Sequence, residues 1–145
     1  MMNNRTFYNA VLTEHNLHPS HKHGLELATC SADGHNPTCG DEITLNLKVE
    51  DGHIVDGSFT GGGCAISQAS ADMMLDLVIG RTEEEAREYV TLFLKMIRGE
   101  ATEDEIERLE DAGALKDVSH MPTRAKCATL AWHTLDRLIN VEERK

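Results

Sequence analysis

The sequence predicts an α+β domain in which a small three-stranded antiparallel sheet carries helices on one face. Apolar and polar residues alternate strictly over residues 43–50, which is the period of a half-buried strand. Asp51 and Gly52 follow as a two-residue turn, which is typical of a β-hairpin. The second half of the chain shows apolar residues at helical spacing instead. Strands followed by helices indicate the α+β class.

The first half of the chain predicts one helix and three strands. Apolar side chains at helical spacing indicate a helix over residues 5–16, and the Pro- and Gly-containing segment after it ends that helix. We expect strands over residues 25–31, 43–50 and 54–59. A loop over residues 33–37 is expected between the first two strands.

The second half predicts four helices. Ser67 is the expected N-cap of a helix that runs to Gly80. Residues 82–85 form a capping box for the next helix, and residues 102–105 repeat the pattern for a short acidic helix. The last helix begins near Pro122. Its apolar residues recur at helical spacing and predict a face turned toward the core: Cys127, Leu130, Ala131, Leu135 and Leu138.

Length and charge restrict the function classes. At 145 residues the chain is long enough for its own core, and we expect one domain over residues 1–145. The 14 basic and 25 acidic residues give a formal net charge of −11, which argues against a nucleic-acid partner because binding phosphates requires clustered Lys and Arg. No apolar run approaches the roughly 20 residues that span a bilayer, and the first residues do not resemble a signal peptide. We expect a cytoplasmic protein with no membrane partner.

Three of the cysteines lie in segments suited to chemistry. In a reducing compartment, cysteines are better interpreted as ligands, nucleophiles or packing residues than as disulfides. Cys39 and Asp41 lie two positions apart, so in an extended segment their side chains point the same way. Cys64 follows three glycines and precedes a helix, whose dipole favours a thiolate. Cys127 is expected near the start of the last helix, where the same dipole acts.

Each of these cysteines also has a plain structural interpretation. Cys39 fits a turn, Cys64 a small residue at a helix entry, and Cys127 a core position, because free cysteine is commonly buried as a small hydrophobe. Three thiols and one carboxylate are enough for a tetrahedral metal site or for an iron–sulfur cluster. The spacing contains no Cys-x-x-Cys pair, so no zinc-finger pattern supports a shared site. The residues alone leave both interpretations open.

Other residues with metal-binding chemistry are interpreted as structural. Cys30 is expected to pack beside the core rather than to act as a further ligand. His18, His21 and His23 resemble a small metal-binding cluster, but we interpret them as solvated loop histidines. Met73 and Met74 are expected in the core, with Trp132 as the one large aromatic anchor.

Three segments of the sequence resemble the iron–sulfur assembly proteins of the IscU/NifU/SufU superfamily. They are Asn36-Pro37-x-Cys39-Gly40-Asp41, Gly63-Cys64-Ala65-Ile66-Ser67-x-Ala69-Ser70 and Arg124-x-Lys126-Cys127-Ala128-Thr129-Leu130-Ala131-Trp132. The segments occur in the family's order, and the match covers nearly the whole chain. The closer resemblance is to the SufU type, because Lys126 stands where IscU-type scaffolds usually have a histidine. SufU-type chains also carry an extra segment before the third cysteine. The acidic stretch at about 100–121 resembles that insert, and we interpret it as a solvated helical surface.

The resemblance implies an IscU/SufE-like fold and a Zn²⁺ ion bound by Cys39, Asp41, Cys64 and Cys127. It implies a sulfurtransferase that accepts persulfide sulfur from a SufS-type cysteine desulfurase, a pyridoxal-phosphate enzyme, and stimulates it. The sulfur would pass to downstream iron–sulfur assembly proteins. Cys39 is the expected acceptor. Arg124 is expected to pair with Asp41 or to steady negative charge on the sulfur; the plain alternative, which applies to Lys126 as well, is a solvated residue at the start of the helix. One alternative is an IscU-like scaffold that assembles an iron–sulfur cluster on the same four ligands, and another is a structural zinc protein.

Overall fold

A computed structural model describes residues 4–37 and 40–139 of the chain, with side chains from residue 10 onward. The described elements are three strands, five α-helices and one run of 3₁₀ turns. In chain order they are α1 (Asn4–Leu17), β1 (Cys30–Asn36), β2 (Asp41–Glu50), β3 (His53–Gly62), α2 (Ala65–Val78), α3 (Glu83–Ile97), α4 (Glu103–Arg108), the 3₁₀ helix (Glu110–His120) and α5 (Pro122–Ile139). Among these helices, none has the length and apolar character needed to cross a membrane.

The three strands form one antiparallel sheet in the order β1-β2-β3. Asp51 and Gly52 connect β2 to β3 with positive φ angles of 51° and 78°, which is the backbone of a tight hairpin turn. Alternate side chains of β2 from Ile43 to Leu47 are buried, so one face of the sheet is apolar. The helices pack on that face, which confirms the predicted α+β architecture.

The predicted first strand over residues 25–31 is wrong. The strand begins at Cys30, and Leu27 within the predicted range is 70% exposed. Leu25 and Leu27 occupy alternate positions of the predicted strand, but they do not form a buried face. Alternation predicts a strand only where a neighbouring strand and a core are available to receive it.

The segment predicted as a loop at residues 33–37 instead pairs with β2 as far as Asn36. Asp33 and Gly34 are turn-forming residues, but Gly34 serves a different purpose here. A Cβ at this position would meet Oγ1 of Thr134 on α5, so glycine lets the helix approach the strand closely. Packing of α5 against β1 overrides the local turn preference.

The start of α2 also differs from the prediction. Cys64 is the N-cap, and its Sγ accepts the N–H of Ser67 at 3.5 Å. Ser67 lies within the first turn and donates its hydroxyl to the Cys64 carbonyl at 3.0 Å, so the assignment of Ser67 as the cap is wrong. Further along the helix, Met73 and Met74 are buried as predicted. The capping arrangement places a thiol directly at a helix N-terminus.

Both predicted capping boxes are confirmed. The hydroxyls of Thr82 and Thr102 accept the N–H of Glu85 and Glu105, and each glutamate accepts the N–H of its threonine in return. These backbone hydrogen bonds are the main reason why the pKa of Glu85 and that of Glu105 lie below the usual range. The boxes fix where α3 and α4 begin.

The acidic stretch at about 100–121 folds as α4 followed by the 3₁₀ helix. Its first half is largely exposed, as predicted. The second half buries Ala112, Leu115 and Val118, so the interpretation of the whole stretch as a solvated surface is wrong. Buried apolar side chains make this segment part of the core.

Trp132 of α5 ties the central helices together. Its ring is fully buried and stacks on Phe93, with centroids 4.1 Å apart and planes within 4°. The indole N–H donates to Oγ of Ser70 on α2 at 3.0 Å, and that hydroxyl donates to the Ala128 carbonyl at 2.6 Å. This arrangement satisfies the buried polar atoms and fixes α2 against α5.

Candidate metal centre

Asp41, the first residue of β2, is a fully buried carboxylate. Its Oδ1 accepts the N–H of Cys64 at 2.8 Å, and its Oδ2 lies 4.0 Å from the Cys64 Sγ. No described lysine or arginine forms an ion pair with Asp41. Because a buried carboxylate without a positive partner is unfavourable, this position favours a bound cation.

Gly63 makes room for that carboxylate. It has a φ of 152°, and a Cβ at this position would overlap Oδ1 of Asp41 and lie 3.0 Å from its Cγ. Three glycines precede Cys64 in the sequence, which gives no sign of which one matters. The structure shows that Gly63 is the glycine whose missing side chain lets the loop close over Asp41.

The Cys64 thiol is half-buried at the positive end of the α2 dipole. The Ser67 N–H points at its sulfur at 3.5 Å. The predicted position of Cys64 directly before a helix is therefore confirmed, with its sulfur held against the first turn of α2.

Cys127 is 3% exposed and lies in the second turn of α5. Its Sγ is 3.9 Å from Nδ2 of Asn36 and 3.6 Å from the Thr123 carbonyl oxygen. Asn36 is buried and pairs directly opposite Asp41 across the hairpin, so both side chains face the site. An amide N–H aimed at the sulfur stabilises a thiolate. Asn36 belongs to the first of the three sequence motifs, but no role follows for it from the sequence, because the first strand was predicted too early in the chain.

The fold brings three of the four predicted ligands together. One carboxylate oxygen of Asp41 and the sulfurs of Cys64 and Cys127 all lie within 4.8 Å of one another. They come from the start of β2, the start of α2 and the second turn of α5. Two thiols and a carboxylate are donors that Zn²⁺ accepts in tetrahedral sites, and thiolates also hold iron–sulfur clusters. The residues present therefore fit either group.

Cys39, the fourth predicted ligand, lies outside the described residues. The prediction that the side chains of Cys39 and Asp41 point the same way assumed an extended segment. That assumption is wrong, because β2 begins only at Asp41 and Gly40 has a left-handed φ of 70°. The segment is therefore not extended through Gly40. The assignment of Cys39 as a ligand and as the sulfur acceptor stays a prediction.

Arg124 and Lys126 are exposed on α5, and the side chain of neither forms a hydrogen bond or an ion pair with another described residue. The pairing of Arg124 with Asp41 is therefore not formed among the described residues. Arg124 precedes Cys127 by three positions, which places the two on neighbouring positions of one helix surface. Its exposed guanidinium remains available to a group that approaches from outside.

The other residues considered in the sequence lie away from this centre. Cys30 is half-buried at the start of β1, where it packs against the core as predicted. His18 and His23 are exposed as expected for loop histidines. The side chain of His21 is only 18% exposed and pairs with Asp76 at 2.7 Å, so the solvated interpretation is wrong for His21.

Comparison with known proteins defines the class. Residues 7–142 match the model of the NifU-like N-terminal domain, and the chain belongs to that family. This match covers all three cysteine segments. It confirms the resemblance to the IscU/NifU/SufU superfamily that those segments indicated.

Relatives of both the SufU and the IscU type are similar to this chain. The zinc-dependent sulfurtransferase SufU of Bacillus subtilis (strain 168) is 39% identical over 138 residues, which cover 95% of this chain and 92% of the relative. The iron-sulfur cluster assembly scaffold protein IscU of Streptococcus pyogenes serotype M1 is 41% identical over 132 residues, covering 91% and 82%. The crystal structure of the SUF-system protein FiSufU from Fervidobacterium islandicum AW-1 superposes with a TM-score of 0.83 at 33% identity, covering 92% and 97%. The resemblance to the SufU type is confirmed.

Proposed function

We propose that this chain is a zinc-dependent sulfurtransferase of iron–sulfur cluster assembly that accepts persulfide sulfur from a SufS-type cysteine desulfurase and stimulates that enzyme. The convergence of Asp41, Cys64 and Cys127 carries the proposal, because it joins two thiols and a buried carboxylate beside the loop that contains Cys39. The similarity to SufU of Bacillus subtilis, whose name states both zinc dependence and sulfur transfer, supports it.

Asp41, Cys64 and Cys127 would hold the ion together with Cys39. When bound, Zn²⁺ keeps thiol ligands deprotonated and undergoes no redox change of its own. Covalent geometry keeps the Cα of Cys39 within about 7.6 Å of that of Asp41, because consecutive Cα atoms are about 3.8 Å apart. We therefore propose Cys39 as the fourth ligand.

The proposed transfer is a thiol–disulfide exchange at Cys39. The Cys39 thiolate attacks the outer sulfur of the persulfide on the desulfurase. A sulfur–sulfur bond forms on Cys39 while the bond to the desulfurase cysteine breaks, and that cysteine leaves as a thiolate. The exchange needs no external oxidant or reductant. Downstream iron–sulfur assembly proteins are the proposed recipients of the sulfur.

Arg124 is proposed to steady the negative charge of the incoming sulfur. Its guanidinium is exposed and lies one helical turn before Cys127 on α5. A persulfide at neutral pH carries negative charge, which a nearby cation attracts. The chain has a formal net charge of −11, which repels an anionic sulfur. The positive charge of Arg124 would offset part of that repulsion.

A scaffold function on the same ligands is the second candidate. The observation in its favour is the donor set itself, because two thiols and a carboxylate can bind iron–sulfur clusters as well as zinc. The similarity to the IscU scaffold of Streptococcus pyogenes points the same way. Anaerobic reconstitution with iron and sulfide separates the two functions, since a scaffold turns brown and a zinc sulfurtransferase stays colourless.

The test of the proposed function is desulfurase turnover, measured as alanine released from cysteine, with and without this protein. We expect about one zinc at the cysteine centre of each chain and a strong stimulation that is abolished in Cys39→Ala and weakened in Asp41→Asn. Cys30→Ala is the matched control, because Cys30 is a thiol outside the site. Zinc binding without any stimulation by the parent protein would contradict the sulfurtransferase and leave the scaffold for reconstitution to test.

A further inference from the structure

A second cluster of ligand side chains lies between α1 and α2, apart from the cysteine centre. Nδ1 of His15 and one carboxylate oxygen each from Asp72 and Asp76 lie within 4.8 Å of one another. His15 is 8% exposed and Asp72 is 1% exposed, whereas the Asp76 side chain is 46% exposed. We propose that these three residues form a site for a divalent transition-metal ion, distinct from the site of the cysteines.

The donor set suits such an ion. One imidazole nitrogen and two carboxylate oxygens are common ligands of Zn²⁺ and of other borderline divalent metals, with water filling the remaining positions. Asp76 lies at the exposed edge of the cluster and provides the route by which a hydrated ion enters. Two buried ligands and one exposed ligand give a formed site that is open to solvent on one side.

Each of the three ligand side chains is oriented by a neighbour that contacts its other nitrogen or oxygen, not the atom that would bind the metal. Nε2 of His15 is 2.8 Å from Oδ2 of Asp111, which fixes the ring so that Nδ1 points into the cluster. The other oxygen of Asp72 accepts the backbone N–H of His21 at 2.9 Å, and Oδ1 of Asp76 is 2.7 Å from Nε2 of His21. A histidine ligand held by a carboxylate on its second nitrogen is a recurrent arrangement of metal sites.

Charge balance favours a cation here. Asp72, Asp76 and Asp111 bring three carboxylates to the cluster, while the only described positive partners are His15 and His21, which are charged only when protonated. No described lysine or arginine forms an ion pair with any of the three carboxylates. A divalent ion at neutral pH would offset this negative charge more completely than protons on the two imidazoles.

The geometry needs little adjustment to accept the ion. Nδ1 of His15 and Oδ2 of Asp72 are 2.7 Å apart and now share a proton. Ligand atoms that each lie about 2.1 Å from a metal are separated by about 3 Å or slightly more. Nδ1 and Oδ2 of Asp76 are 4.0 Å apart, so a small rotation of the exposed Asp76 side chain closes the site.

The test counts metal ions per chain in reduced, chelator-treated protein after equilibrium dialysis against Zn²⁺. We expect two ions bound by the parent, one by Asp76→Asn, and two by the control Asp104→Asn, which removes an exposed acid from α4. Asp76 is exposed enough that its substitution should leave the fold intact, and circular dichroism checks this. A parent protein that binds no more ions than folded Asp76→Asn would overturn the proposal, whatever number of ions the cysteine centre binds.

Cobalt spectroscopy of the parent protein provides a second measurement that needs no variant. The cysteine site gives intense sulfur-to-cobalt charge-transfer absorption, whereas the site at His15 contains no sulfur. We expect one equivalent of Co²⁺ to raise the charge-transfer band and the other to add only weak visible absorption. Charge-transfer absorption that grows in proportion to all bound Co²⁺ would contradict the second site. Neither measurement uses desulfurase activity, so the result is independent of the sulfurtransferase proposal.

Discussion

At the scale of single residues, the cysteine centre depends on the burial of Asp41 against Gly63, which has no side chain to displace the carboxylate. Gly63 and Gly62 are neighbours, yet only Gly63 has a φ in the left-handed region and faces the carboxylate. A Cβ added at Gly62 would meet nothing within 4 Å. The two glycines therefore form a matched pair for testing the site.

Gly63→Ala should weaken zinc binding by about tenfold or more, because displacing a group that orients a ligand typically costs 10–100-fold in affinity. The strained backbone should also lower the free energy of unfolding by about 1–3 kcal/mol. Gly62→Ala should leave both quantities nearly unchanged. Competition with a zinc chelator and denaturant unfolding measure them, and equal effects of the two substitutions would contradict the role of Gly63.

Arg124→Gln should slow sulfur acceptance about tenfold at low ionic strength, because it removes the cation that attracts the anionic sulfur. Zinc content should not change, since Arg124 contributes no ligand atom. Lys126→Gln is the matched control, because Lys126 is equally exposed on the same helix. The measurement is the rate of persulfide formation at several salt concentrations. A rate that is insensitive to Arg124 would remove this residue from the proposed function.

At the scale of secondary-structure elements, His15 joins α1 to α2 and to the 3₁₀ helix. Burial by itself would lower the pKa of His15, but hydrogen bonds to Asp111 and Asp72 and the charges of both carboxylates raise the pKa above its ordinary value of 6.5. Asp76 lies on the same side of the ring at 4.0 Å. In metal-free protein, the protonated imidazole therefore holds three elements together.

This raised pKa predicts how the stability of chelator-treated protein depends on pH. The native state retains the proton that the unfolded chain loses, so the contribution of His15 is complete below about pH 6.5 and declines as pH rises through the folded pKa. His15→Gln should lose about 1–3 kcal/mol of unfolding free energy at low pH and less at high pH. Denaturant unfolding over this range checks the trend, with His133→Gln, an exposed histidine of α5, as the control. A difference between parent and His15→Gln that grows with pH would contradict it.

The elements also show what the sequence could and could not predict. The β2–β3 hairpin and both capping boxes follow from short-range rules, and all three were predicted correctly. The first strand was misplaced because its pairing depends on α5, whose Thr134 requires glycine at position 34. The 3₁₀ helix was misjudged because an acidic composition hid the three apolar residues that face the core.

The candidate site was predictable where short motifs carry the chemistry. Asp41, Cys64 and Cys127 were identified from their neighbours in sequence, and the fold brings them together. Asn36 and Gly63 were not assigned roles, since these depend on contacts between β1, α5 and the loop before α2. The cluster around His15 was missed altogether, because His15 reaches Asp72 and Asp76, which lie four positions apart on α2, only when α1 packs on α2.

At the scale of the whole molecule, the packing of α2 and α5 on the sheet brings two thiols and a carboxylate to a common point. Cys64 and Cys127 are anchored to helices that Trp132 and Ser70 fix together. Cys39 lies in the sequence between Asn36, which ends β1, and Asp41, which begins β2, and its role as sulfur acceptor stays a proposal.

The most direct test of the central claim is mass spectrometry of the intact chain after reaction with a SufS-type desulfurase and cysteine. We expect a gain of one sulfur atom, located at Cys39 by peptide mapping and absent in Cys39→Ser. Cys64 and Cys127 should remain unmodified in the zinc-loaded protein. An unmodified parent chain, or sulfur added equally to Cys39→Ser, would contradict the proposed transfer.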